Sequence, residues 1–168
     1  MTAPGTAPVT LRRFVHADGP ATLDLFVRAI RVTARNDYSA TQIAAWAPDD
    51  LDPAAWTSRR ETSRTCVACV DGRVVGFTDV DGQGYVDMMF VDPDHGGRGV
   101  AGALLGWVVD VARREGVTEL STHASLTARP FFEAHGFVVE RAQRPVLRGV
   151  ELVNFVMRCP LRATTDTP

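Results

Sequence analysis

VDPDHGGRGVAGALL, from Val91 to Leu105, decides how this sequence reads. An apolar strand ends at Val91, a loop gathers Gly96, Gly97 and Gly99 around Arg98, and an apolar helical stripe of Val100, Leu104, Val108 and Val111 begins. Glycine lets the backbone approach a ligand closely and turn successive N–H groups into one concavity. A helix N-terminus behind the concavity adds about half a positive charge. The segment therefore suits a phosphate or pyrophosphate; a tight loop with no ligand is the structural alternative.

The rest of the chain places that loop in a mixed α/β order. TLRRF (10–14) predicts a strand, and Asp18 opens a helix whose Leu23, Phe26, Val27, Ile30 and Ala34 share one face. SATQIAAWA (39–47) predicts a shorter helix, and Pro53 starts another through Arg60. TCVACV (65–70), the turn Asp71-Gly72 and VVGFTDV (74–80) read as a hairpin. YVDMMFV (85–91) is the strand that leads into the loop. Beyond the helix of 100–114 come a strand ELSTHA (119–124), a short helix LTARPFFEAH (126–135), and strands at 137–144 and 150–158. One domain is expected over 9–160, with flexible ends at 1–8 and 161–168.

Composition removes several chemistries. All 18 basic side chains of the 168-residue chain are arginine, so neither a Walker A lysine nor a Schiff-base lysine is available. A formal charge of −2 argues against a nucleic-acid partner. Cys66 and Cys69 form a C-x-x-C, but within a strand they fall on opposite faces and no second pair completes a zinc site. No metal is expected. The N-terminus lacks a signal-peptide pattern and no apolar stretch approaches the roughly 20 residues of a membrane span, so a cytoplasmic protein with no membrane partner is the expectation. A homodimer is compatible with the sequence.

Gly97-Arg98-Gly99-Val100-Ala101-Gly102 also spells the dinucleotide fingerprint G-x-G-x-x-G. Five residues separate it from its strand, however, and ELSTHA carries no acidic end for a ribose hydroxyl. The better match is another family. VDPDHGGRGVAGALL resembles the acetyl-CoA pyrophosphate loop of the GNAT N-acetyltransferases, Gln/Arg-x-x-Gly-x-Gly/Ala, with Gly99 and Ala101 on its second half and Gly96 at the Gln/Arg position. YSATQIAAWA, YVDMMFVDP, HASLTARPFFEAHGF and RGVELVNFVM together are similar to the YafP-type branch.

The resemblance implies a twisted, mostly antiparallel sheet of about seven strands, splayed at the acetyl-CoA strand and flanked by helices. It implies acetyl-CoA as cosubstrate and direct attack by a small-molecule or peptide amine on the thioester in a ternary complex. Gly96, Gly97, Arg98, Gly99, Val100 and Ala101 would then cradle the pyrophosphate. The backbone of Met89, Phe90 and Val91 would pair with the pantetheine arm, and Ser125 occupies the family's usual asparagine position. Asp87, a charge in an apolar strand, is the leading base, with burial expected beside the cofactor. His123 is the alternative base. Phe132 stands where many members carry the tyrosine that protonates the thiolate, so either Tyr85, Tyr38 or water serves instead or the thiolate leaves without an acid. Tyr38, Trp46 and Trp56 are expected to wall the acceptor site, with core packing as the alternative. A catalytically idle acyl-CoA sensor is the rival function.

Overall fold

The computed structural model describes residues 7–163. Its first half contains β1 (Thr10–Arg13), α1 (Gly19–Arg28), α2 (Ala40–Trp46), α3 (Pro53–Thr62), β2 (Thr65–Val70), β3 (Arg73–Asp79), β4 (Tyr85–Val86) and β5 (Met89–Val91). Then come α4 (Val100–Arg114), β6 (Glu119–Ser125), α5 (Arg129–Ala134), β7 (Val138–Gln143), β8 (Val146–Leu147), β9 (Val150–Glu151) and β10 (Asn154–Pro160). The flexible ends expected from the sequence fall largely outside the described residues.

Two half-sheets share one interrupted strand. The first runs β1-β2-β3-β5, antiparallel throughout, and the second runs β4-β6-β10-β7. The continuous strand expected over 85–91 is thus corrected. Tyr85 and Val86 pair in parallel with Ser121 and Thr122, whereas Met89 to Val91 pair antiparallel with Thr78 to Gly76. Counted once, the interrupted strand gives seven strands across the two half-sheets of the described residues, a mixed α/β fold splayed where that strand changes sheets.

Helix α4 bridges the halves. Val100 and Leu104 pack on Cys66, Ala68 and Val75 of the first half-sheet. Leu105, Val108, Val111 and Ala112 join Leu120, Ala124, Phe155 and Met157 of the second. Each such fully buried side chain is worth about 1.5–3 kcal/mol of transfer free energy, enough to fix the helix across the fork. Gly76 permits its close approach, since a Cβ there would lie 2.8 Å from the Val100 side chain. The opposite face of the first half-sheet carries α1 and α3, with Leu25, Phe26, Ile30 and Trp56 against Val67, Cys69 and Phe77. Cys66 and Cys69 accordingly lie in different core clusters, as strand alternation requires.

The expected last strand, 150–158, is also two elements. A hairpin of β8 and β9 turns at Arg148 and Gly149, both at positive φ, before β10 begins. Polar contacts hold it on α2: Gln42 Nε2 donates to the Glu151 carbonyl at 3.0 Å and Arg148 Nη1 to the Ala45 carbonyl at 2.8 Å.

Candidate active site

The glycine loop ends β5 and opens α4. Asp92 caps the turn before it, accepting the Asp94 N–H at 2.8 Å, and Arg28 of α1 reaches both Asp92 and Asp94. Gly97 and Gly99 then adopt positive φ, with Gly99 the N-cap of α4 at φ 79°. No side chain caps the helix, so its first-turn N–H groups keep their donors free. A Cβ built at Gly97 or Gly99 meets nothing within 4 Å, and Gly96, Arg98 and Gly99 are exposed. The concavity is open and lined by donors, the arrangement an anionic group needs. Ala101 lies in the first turn, while Val100 turns its side chain into the core.

The fork begins one strand earlier. Asp92 donates its N–H to Val75, and by antiparallel alternation Phe90 also faces β3, leaving the N–H and C=O groups of Met89 and Val91 directed at the fork. β5 has no strand partner on that edge among the described residues. Of the three backbones expected to meet a pantetheine arm, those of Met89 and Val91 are turned toward it and that of Phe90 is engaged elsewhere. Ser125 stands across the fork at the end of β6, its Oγ accepting the Ala128 N–H at 3.0 Å.

At the break itself sits a residue that sequence reasoning missed. Asp79 is 4% exposed, and its Oδ1 accepts from the N–H groups of both Asp87 and Met88 at 3.0 Å. Its Oδ2 accepts from Nη1 of Arg60 at 2.9 Å, and Arg60 is itself 1% exposed. Burial pushes the Asp79 carboxyl up, against the pull of these N–H donors and of Arg60. An acidic residue within the apolar run VVGFTDV is the signal in the sequence that could have found it.

Two of the catalytic candidates touch beside this joint. The rings of Tyr85 and His123 touch edge to face with centroids 5.3 Å apart. Burial first, then the charges of Asp87, Asp79 and Asp81, push the Tyr85 phenol up to about 12. Asp87 is exposed, which corrects the expectation of burial; the buried carboxylate here is Asp79. A cavity of about 870 Å³ opens beside Tyr85 and Asp87, with Thr62, Asp79 and, from the C-terminal half of α4, Trp107, Val111 and Arg114 also among its walls.

The aromatic candidates separate. Tyr38 is 6% exposed, donates to the Val153 carbonyl at 2.6 Å and accepts the Leu126 N–H at 2.9 Å. These bonds tie α2's approach to the ends of β6 and β10, and burial pushes the phenol up. Trp56 packs between Phe26 and Phe77 and donates to Thr22 at 3.1 Å. Trp46 alone of the three lies against both Tyr38 and Phe90, which carries it to the fork. Phe132 is 3% exposed and meets Phe131 and Phe137 edge to face, a core position far better suited to phenylalanine than to a proton donor.

Comparison with known proteins decides the family. Residues 34–159 match the model of the acetyltransferase (GNAT) domain. The chain is a GNAT acetyltransferase, and therefore an acyltransferase. It is 37% identical over 150 residues, 89% of this chain and 95% of the relative, to the uncharacterized N-acetyltransferase YafP of Escherichia coli K12. A GCN5-related N-acetyltransferase from Rhodopseudomonas palustris superposes with a TM-score of 0.88 at 30% identity, covering 96% of this chain and 99% of that one. The PaiA N-acetyltransferase of Thermoplasma acidophilum, solved with coenzyme A, shares the fold (TM-score 0.75, 15% identity, 92% and 99% coverage). No helix among the described residues of this GNAT chain is long and apolar enough to cross a membrane.

Proposed function

We propose that this GNAT enzyme transfers the acetyl group of acetyl-CoA to an amine of a small molecule or peptide, both substrates being bound together. The observation that carries the reading is the open, uncapped donor concavity at Gly96 to Ala101, continuous with the unpaired edge of β5. Solved relatives that hold coenzyme A or acetyl-CoA support the choice of cosubstrate.

Acetyl-CoA supplies a thioester carbonyl. The donors of residues 96–101 hold its pyrophosphate, with Arg98 adding charge and Met89 and Val91 pairing along the arm. Asp87 removes the proton from the incoming amine, and His123 lies close enough to share that work. The N–H of Met89 or Val91 stabilises the oxyanion. Tyr85 keeps its proton throughout the working range and gives it to the departing thiolate. This assignment answers the loss of the family's tyrosine at Phe132. Trp46 forms an aromatic wall for the acceptor and favours an apolar or aromatic amine.

Steady-state rates of thiol release test these roles. General acid–base groups contribute about 10²–10⁴-fold, so Asp87→Asn and Tyr85→Phe should each lower kcat by at least about 10²-fold while the acetyl-CoA Kd from calorimetry stays put. An unchanged rate for either variant removes that residue from its role.

A further inference from the structure

The strand over 85–91 does not break for want of pairing propensity, since Met89, Phe90 and Val91 continue it at once. It breaks where Asp79 intervenes. In an unbroken antiparallel ladder the residues before Met89 would extend the pairing with β3. Instead one carboxylate oxygen collects two successive N–H groups, those of Asp87 and Met88. The carbonyl of Met88 is held as well, by the Asp79 N–H at 3.2 Å and the Thr78 hydroxyl at 2.8 Å. Two consecutive residues set against one is the pattern of a β-bulge, which bends a strand and re-aims a side chain.

The cost of this arrangement is visible. Arg60 and Asp79 are both almost fully buried, and Arg60 Nε has no hydrogen-bond partner among the described residues. A buried ion pair is often no better for stability than an apolar pair of similar volume. Something other than stability is the better account of its presence. The guanidinium also lies over the Trp56 ring, 5.2 Å from its centroid, and so is fixed from two sides.

We infer that Asp79, held by Arg60, is a positioning residue for acetyl transfer: its carboxylate sets the bulge at Asp87 and Met88, and the bulge aims Asp87 at the reacting amine. This inference rests on the assignment of Asp87 as base. The acetyl-CoA loop at 96–101 lies beyond β5 and does not depend on the joint.

Two double variants separate the positioning role from mere stability. Asp79→Asn with Arg60→Gln keeps an oxygen for the two N–H groups and a neutral side-chain partner. Asp79→Leu with Arg60→Leu keeps the packing volume and removes the acceptor. A displacement of about 1 Å at a reacting group costs on the order of 10²-fold, so the leucine pair should lower kcat by about 10²-fold. The acetyl-CoA KM should stay within about threefold, and the amide pair should keep kcat within about threefold, both well inside that 10²-fold effect. In an Asp87→Asn background the leucine pair should cost almost nothing more, because the group it misplaces is already gone. Should the leucine pair fail to fold, Asp79→Glu serves instead: it retains the charge, shifts the acceptor by one methylene, and should lower kcat with the same KM pattern.

A leucine pair that folds and keeps kcat within threefold overturns the inference. So does a loss of full size that persists in the Asp87→Asn background. Failure of the base assignment reads differently, as an Asp87→Asn single variant with unchanged rate.

Discussion

At Tyr85 the surroundings act on one bond, the phenolic O–H. Burial and three nearby carboxylates disfavour the phenolate, with the pKa at about 12. A general acid must be protonated to work, so Tyr85 should impose no loss of rate as pH rises toward that value. The expected pH profile of kcat is therefore flat on the alkaline side well past neutrality; an alkaline limb that Tyr85→Phe abolishes would contradict the assignment. Asp18 illustrates the opposite shift. Arg12 holds it bidentately at 2.7 and 2.9 Å, and that pair, opposed by burial and helped by the Val15 N–H, keeps its carboxyl below the ordinary range. A carboxyl depressed in the folded state stabilises the fold above its unfolded pKa and loses that contribution as pH falls through the folded value. Arg12→Met should thus flatten the decline of the urea midpoint as pH falls through and below the ordinary aspartate range. Equal slopes for the two proteins would show that the pair does not couple folding to protons.

The glycine loop is where an element's backbone carries the chemistry. Gly99→Val puts a branched side chain into the open concavity and also strains a left-handed residue, at roughly 1–2 kcal/mol. Gly116, at φ 73° with nothing within 4 Å of a built Cβ, supplies the matched control at the far end of α4. Both Gly99→Val and Gly116→Val should lower Tm by similar amounts, about 2–4 °C per kcal/mol at this size. Only Gly99→Val should weaken acetyl-CoA, by at least tenfold in calorimetry. Equal affinities would discredit the loop as the pyrophosphate site. This element was legible because strand end, glycines and helical stripe each leave a local pattern, and the expected helix of 100–114 matches α4 to the residue. The break in 85–91 was not legible. Its cause, Asp79, lies eight residues upstream in sequence and acts through a side chain on the neighbouring strand. Nor was the β8–β9 hairpin, whose strands are two residues each and whose anchors come from α2.

Across the whole molecule, one helix spans two half-sheets that part at a single interrupted strand, and the proposed chemistry sits where they part. Order of elements and the glycine loop made the fold readable. Readable too were Asp87, Tyr85 and His123 as chemical candidates; the contact of Tyr85 with His123 was not, because β4 and β6 are joined through the crossover of α4. Tyr38 and Trp56 misled in part, since an aromatic near a site and an aromatic in a core obey the same apolar spacing. The absence of lysine acquires a meaning in the proposed reading: a pyrophosphate bound there would rest on backbone N–H groups, the helix terminus and Arg98. The most direct test of the account is release of free thiol from acetyl-CoA across a panel of aromatic, aliphatic and peptide amines. Amine-dependent release, with the acetylated amine found by mass spectrometry in equal amount, is the result expected. Tight binding of acetyl-CoA with no turnover on any amine would contradict it and mark the protein as an acyl-CoA sensor.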